Sequence, residues 1–482
     1  MKTVIMAGGR GTRIADLFPD IPKPMIPIQG PDGVSKPVLE WEIISLREQG
    51  FTDILLTVSH MHEKIEAYFG DGNHFGVKID YIVEETPLGN AGALIRYRDK
   101  LGTEPFLVLI ADAMFDVDFN RMVKYHKQKN ALVTLFSHPN SHPYDSSLLI
   151  ADEQNCVTAW LTKEDPRPEW YKNRVNAGLQ VMDPAVLDAM MARTGLKPED
   201  IGEKDADGKI IKVDMDRQIL KPLCGTGKMF CYDSPEYCKD MGTPERFAQV
   251  SRDFACGTVK AKNLSKPQKA IFLDRDGTIN RHIGFLRKPE ELELLPGAAE
   301  AVKRINASGY LAVVITNQPV IARGEVTTEQ LQIIHNKLET LLGREGAYID
   351  GLYYCPHHPD KGFEGEVPEL KIDCDCRKPK PGLILKAARD FNIDLQSSWM
   401  IGDGKNDISA GKNAGCKTTL IGGDQTIGAD LTAPSLLEAV KKITGVRPAP
   451  LGTDPNGASG SLGPGSLIQP PQSKENQGVA AP

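Results

Sequence analysis

Asp274 and Asp276 stand two residues apart immediately after the apolar run Ala270-Ile271-Phe272-Leu273. Just beyond a strand, residues at i and i+2 project to the same side. One carboxylate can then serve as a nucleophile while the other manages a proton. A second chemical cluster lies farther on, in Cys355-Pro356-His357-His358 and Cys374-Asp375-Cys376. Cys-x-His and Cys-x-Cys together make a closed Cys3His set, the donor set of a structural zinc ion, with His357 and His358 as rival fourth ligands. Three of the nine cysteines fall in this stretch, which argues against incidental burial. The third constellation is Gly8-Gly9-Arg10-Gly11-Thr12-Arg13. Its glycines let the backbone approach a phosphate closely and line up N–H groups as an anion nest. Arg13 adds a forked cation, and Lys23 in Pro22-Lys23-Pro24-Met25 a point charge. The Gly-Lys-Ser/Thr ending of a Walker loop is missing.

Two sets of alternating strands and helices are needed to position these groups. In the first 240-odd residues, Thr3–Met6, Ile54–Val58, Lys78–Val83 and Phe106–Ile110 read as strands, and Val38–Glu48 and Lys64–Phe69 as helices. Such alternation implies a parallel, doubly wound sheet covered on both faces, with ligands at the carboxyl ends of its strands. The pattern breaks over 251–268, and the polar, proline-containing stretch 256–268 is expected as a linker. A second series follows in 269–445, with strands expected at Ala270–Leu273, Leu311–Ile315, Gly351–Tyr354 and Trp399–Ile401. The expected fold class is therefore α/β, as two doubly wound Rossmann-like domains. The segment 446–482 is rich in Pro, Gly, Ser and Asn and is expected to be a disordered tail.

The bulk composition agrees with such domains. Of 482 residues, 40% are apolar and 25% charged. A net charge of −7 excludes a generic nucleic-acid binder, which needs a basic excess. No apolar run approaches the ~20 residues of a membrane helix. The first residues are too soon interrupted by glycines to read as a signal peptide. The cysteines do not form a secreted disulfide framework, so a cytoplasmic location is expected.

The glycine run, followed by Pro-Lys-Pro-Met, resembles the sugar-phosphate nucleotidyltransferases. Further segments match in the family's order: Glu84-Glu85-Thr86-Pro87-Leu88-Gly89-Asn90, Val175-Asn176-Ala177-Gly178 and Asp240-Met241-Gly242-Thr243-Pro244. The resemblance spans about residues 1–250 and implies a GT-A-like domain. There a sugar 1-phosphate attacks the α-phosphorus of a nucleoside triphosphate and releases pyrophosphate. It implies Arg13 and Lys23 in charge neutralisation, and Asp112 and Asp240 as the Mg2+ carboxylates. It also places Gly8, Gly9, Gly11, Thr12, Glu85, Gly89, Asn176 and Gly178 at the nucleotide and sugar. Ala111 departs from the glycine usual before the first metal aspartate. The heptose and mannose guanylyltransferase branch is the most similar, which makes GTP the expected nucleotide.

Asp-Arg-Asp-Gly-Thr at 274–278 resembles the first motif of the haloacid dehalogenase (HAD) phosphohydrolases. Thr316-Asn317-Gln318, Arg377-Lys378-Pro379 and Gly402-Asp403-Gly404 follow as the remaining motifs. By that resemblance Asp274 attacks phosphorus, and Asp276 protonates the leaving alcohol and then activates water. Thr316 and Lys378 steady phosphoryl oxygens, with Asn317, Gln318 and Arg377 at the substrate. Asp403, with Asp274 and the Asp276 carbonyl, holds Mg2+. The cysteine cluster narrows the resemblance to the D,D-heptose 1,7-bisphosphate phosphatases and favours His357 as the fourth zinc ligand. The histidinol-phosphate phosphatases share nearly all of these motifs and are the alternative. Pro319, where many relatives have Ser, and a long His357–Cys374 segment are departures.

The pairing implies a bifunctional enzyme of nucleotide-activated heptose synthesis for a surface polysaccharide or lipopolysaccharide, acting on small sugar phosphates. Two alternatives stand: halves that serve unrelated sugars, and a phosphatase regulated by a non-catalytic sugar-nucleotide sensor.

Overall fold

The computed structural model describes residues 1–9, 13–14, 17–423 and 425–445. The expected tail, and Gly11 and Thr12 of the glycine loop, lie outside the described residues.

Two sheets organise the chain. The first has nine strands. Phe106–Ile110, Lys2–Met6, Asp53–Val58 and Lys78–Val83 run parallel and adjacent in that order. Val175–Met182 then joins Phe106–Ile110 antiparallel and continues to Val133–His138, again antiparallel. The sheet is therefore mixed, not parallel throughout as expected from the alternation. The order has a physical consequence. Lys2–Met6 and Phe106–Ile110 lie side by side at the centre, so the loops after them open at one carboxyl edge, where the glycine run and Asp112 sit. Val4 packs into the core on one face and Ile5 into the core on the other, both fully buried. A central strand buried on both faces reads as an unbroken apolar run because its period-2 alternation puts apolar groups on each side.

The second sheet has six strands, all parallel, ordered Gly351–Cys355, Tyr310–Asn317, Lys269–Leu273, Trp399–Gly402, Lys417–Ile421, Leu431–Ala433. Ile271 and Leu273 face one core, and Ala270 and Phe272 the other. Asp274, Thr316 and Asp403 thus emerge together at the carboxyl edge of three neighbouring strands.

The 256–268 stretch is not a loose tether. It forms a short helix, Thr258–Ala261, and buries Val259, Lys262, Asn263, Leu264 and Gln268. Asn263 donates to Asp116 at 2.7 Å, and the Leu264 N–H donates to Glu236 at 2.8 Å. The Gln268 side-chain amide donates to the carbonyls of Ala261, Asn263 and Lys266. Composition alone marks these polar residues only as a linker. They instead satisfy one another and the buried acids of the first domain.

Candidate active sites

The C-terminal cleft, about 320 Å³, collects Asp274, Asp276, Thr316, Asn317, Gln318, Arg377, Lys378 and Asp403. Lys378 is 4% exposed. Its ammonium lies 2.6 Å from Asp274 Oδ1 and 2.6 Å from Asp407 Oδ1, and donates to the Ile315 carbonyl at 2.8 Å. Burial works against its charge, but the two carboxylates overcome this and raise its pKa. Burial also pushes Asp274 up, which neighbouring Asp407 and Asp276 reinforce and Lys378 opposes. Carboxylate oxygens of Asp274, Asp403 and Asp407 lie within 4.8 Å of one another. Three hard oxygen donors converging beside a phosphate-sized cleft fit Mg2+. Asp407 belongs to this cluster and was not singled out in the sequence. It lies in the first turn of the helix Lys405–Ala414, which starts just past Asp403.

Asp276 is turned elsewhere. It accepts from Arg275 at 2.8 Å, Asn280 at 2.9 Å and Gln318 at 2.9 Å. Burial disfavours its charge, yet these donors outweigh burial and hold its carboxyl below the usual range. Gln318 also donates to the Thr316 hydroxyl at 2.9 Å, which links Asp276 to the strand-end threonine. Asn317 clamps the Lys378 backbone through both its amide oxygen and nitrogen. Gly277 has φ +87°, and a Cβ there would lie 1.9 Å from Asp403 Oδ2. Only glycine lets the first motif turn so close to Asp403.

The sulfurs of Cys355, Cys374 and Cys376 are 3.2 to 3.5 Å apart, and His357 Nδ1 is 3.3 Å from Cys376 and 3.7 Å from Cys355. These separations are too long for a disulfide. They fit the edges of a zinc tetrahedron, for which Zn–S bonds of ~2.3 Å give edges of ~3.8 Å. His358 is turned away and accepts from the Asp360 N–H at 3.2 Å. Arg377 donates to the His357 carbonyl at 3.2 Å, so the cluster and the cationic loop are joined.

The N-terminal cleft, about 860 Å³, is lined by Gly8, Gly9, Arg13, Lys23, Glu85, Gly89 and Asp112 among others. A second groove of about 660 Å³ shares Arg13 and Asn90 with it and adds Asn176, Gly178 and Asp240. Lys23 is buried, with its ammonium 3.2 Å from Asp112 and 3.7 Å from Asp240. The two carboxylates thus face one another across a cation, and as hard oxygen donors they would hold a divalent metal that supplies positive charge to a bound phosphate. Gly89 has φ +85°, and a Cβ there would meet the Val213 carbonyl at 2.4 Å. Gly178, at φ +77°, would meet Ile110 at 2.8 Å.

Two further groups at this site gave no sequence signal. Arg246 pairs with Asp240 from the helix Pro244–Ala255. Glu42 is 1% exposed, neither carboxyl oxygen has a partner, and burial beside Asp112 raises its pKa well above the ordinary carboxylate value.

Among known families, the nucleotidyl transferase family matches residues 2–255, and a HAD-hydrolase-like family matches 375–442. A D-glycero-beta-D-manno-heptose-1,7-bisphosphate 7-phosphatase of Pasteurella multocida is 43% identical over 154 residues, 32% of this chain and 81% of that protein. A D-glycero-alpha-D-manno-heptose-1,7-bisphosphate 7-phosphatase of Burkholderia mallei is 38% identical over 191 residues, 40% of this chain and 98% of that protein. The solved structure of HddC from Yersinia pseudotuberculosis complexed with GMP-PN superposes with a TM-score of 0.41 at 24% identity, covering 52% of this chain and 99% of that one. The matched half-chain and the two phosphatase relatives show that this chain belongs to the nucleotidyl transferase family through residues 2–255 and to the heptose-1,7-bisphosphate 7-phosphatase family through its C-terminal domain.

Proposed function

We propose that the chain carries two consecutive steps of nucleotide-activated heptose synthesis. The C-terminal site removes the 7-phosphate of D-glycero-D-manno-heptose 1,7-bisphosphate. The N-terminal site then joins the resulting heptose 1-phosphate to a nucleotide. One observation carries this reading: a phosphatase whose relatives leave a sugar 1-phosphate is fused to a nucleotidyl transferase, the class of enzyme that consumes one.

In the phosphatase step, an Asp274 oxygen bonds to phosphorus as the C7 oxygen leaves. Asp276, oriented by Arg275, Asn280 and Gln318, relays a proton from solvent to that oxygen. Asp276 then takes a proton from water, whose oxygen attacks the aspartyl phosphate and frees inorganic phosphate and Asp274. Lys378 and the Thr316 hydroxyl hold phosphoryl oxygens. Asp274, Asp403 and Asp407 would hold Mg2+, which when bound would supply positive charge to the phosphoryl group. Zinc at Cys355, His357, Cys374 and Cys376 is structural, since four protein ligands close its shell.

In the transferase step, Arg13 and Lys23 neutralise the triphosphate, and Asp112 and Asp240 hold Mg2+. Backbone N–H groups of the glycine loop receive phosphate oxygens, while Asn176 and Gly178 meet the sugar. GTP is the nucleotide proposed, on the resemblance to the guanylyltransferase branch.

The test is to incubate the protein with heptose 1,7-bisphosphate, Mg2+ and each nucleoside triphosphate in turn and to identify the nucleotide sugar. GDP-heptose is expected. Phosphate release without any nucleotide sugar would reject the two-step reading, and ADP-heptose alone would reject GTP.

A further inference from the structure

The acceptor groove of the transferase does not end within the transferase domain. From Arg13, Asn176 and Asp240 it runs on to Asn306, Ala307, Tyr348 and Asp350, all of which belong to the phosphatase domain. Inter-domain clefts are common ligand sites, because each domain supplies one rigid wall.

This wall is built, not merely adjacent. Asn306 and Tyr348 are locked to each other by two hydrogen bonds: Asn306 Nδ2 donates to the Tyr348 carbonyl at 2.8 Å, and the Tyr348 N–H donates to Asn306 Oδ1 at 3.0 Å. The Tyr348 hydroxyl shares a hydrogen bond with Lys262, a buried residue of the segment joining the domains. The side loop of the groove, residues 139–147, is also held by the phosphatase domain. Glu339 accepts the Asn173 N–H at 2.8 Å, and Asn173 bonds Asn140 through both ends of its amide, at 2.7 and 3.1 Å. Thr340 donates to the Tyr171 carbonyl and accepts its N–H. Pro143 packs so tightly on Gly343 that a Cβ there would lie 2.8 Å from its ring. Glu339, Thr340 and Gly343 all lie on one phosphatase-domain helix, Thr328–Arg344.

We infer that the phosphatase domain completes the acceptor-sugar pocket of the transferase, with Asn306, Ala307 and Tyr348 as the wall that meets the exocyclic carbons of a long-chain sugar 1-phosphate. The inference rests on the transferase reading of the N-terminal site. It makes the fusion a structural requirement of sugar recognition and leaves the nucleotide end independent of the second domain.

The test uses the full-length protein and two variants, Ala307→Trp and Tyr348→Ala. Ala307 is exposed and ends a helix, so the added ring intrudes on the groove without disturbing a core. Transferase KM is measured for heptose 1-phosphate and for the nucleoside triphosphate, together with phosphate release from the bisphosphate. The expected result is a rise of about tenfold in KM for the sugar phosphate, the scale of a pocket altered by a small group. KM for the triphosphate and phosphate release stay as in the unaltered protein. An unchanged sugar KM in both variants overturns the inference while the transferase reading stands. Equal rises for sugar and triphosphate also overturn it, since they report a loosened seam. If the unaltered protein transfers a nucleotide to no sugar 1-phosphate, the transferase reading fails and the inference falls with it.

Discussion

Replacing Lys378 with Met keeps the stem and removes the ammonium that sits 2.6 Å from both Asp274 and Asp407. Asp274 is 9% exposed and Asp407 4%, so little water reaches either carboxylate to compensate. Removing one partner of a buried ion pair typically costs ~3–5 kcal/mol, because the remaining charge is left buried and unpaired. Here two carboxylates lose the same partner, so the upper part of that range applies without metal. For a domain of this size the cost corresponds to a fall in Tm of on the order of 10 °C. Mg2+ should restore much of it, because a cation bound by Asp274, Asp403 and Asp407 replaces the lost charge and binds only the folded state. Turnover should not recover. The phosphoryl group would still lack a positioned cation, a loss worth ~10²–10³ in rate. The assay is differential scanning calorimetry with and without Mg2+, beside phosphate release and nucleotidyl transfer on the same protein. A stability loss that Mg2+ leaves untouched would refute the carboxylate-repulsion argument. Full phosphatase turnover would remove Lys378 from the chemistry.

Asp274→Asn should abolish phosphate release and spare nucleotidyl transfer from supplied sugar 1-phosphate, and loss of both would sink the two-site assignment. Arg13→Ala and Lys23→Ala should do the reverse, lowering transfer by ~10²–10³, as read by pyrophosphate release. Protein made in zinc-replete, reducing medium should carry about one zinc by elemental analysis. Cys374→Ser should lose that zinc and cripple the phosphatase through the loop that carries Arg377 and Lys378, with transfer unaffected. His126 is buried against Thr134 at 3.0 Å, and burial lowers its pKa from 6.5 to about 4. It is neutral in the folded chain, so its contribution to stability is present above pH 6.5 and is lost as pH falls toward 4. Urea unfolding across that window should show a shallower loss for His126→Gln, and identical slopes would count against the assignment.

The chemistry that the sequence determined by itself is short-range chemistry. Asp274 and Asp276 at i and i+2 after an apolar strand, Cys355-x-His357 and Cys374-x-Cys376, and glycines after Lys2–Met6 all lie within a turn or a strand end. Covalent geometry and the period-2 alternation of a strand already set which way such neighbours face. Four of the six strands of the second sheet were legible for the same reason: an all-parallel sheet buries both faces, so such a strand is a bare apolar run between turns, whereas Lys417–Ile421 and Leu431–Ala433 were not read. What only the tertiary structure decided involves distant partners. Lys378 reaches Asp274 across 104 positions, and Lys23 reaches Asp112 across 89. Asp407 joins the metal carboxylates only because its helix starts beside the end of the strand Trp399–Gly402. Strand order has no period to read, so the antiparallel half of the first sheet was invisible. The packing of the joining segment 256–268, expected only as a polar linker, was hidden for a related reason. Polarity is a property of residues, whereas burial of Lys262, Asn263 and Gln268 depends on partners that only packing two domains together supplies.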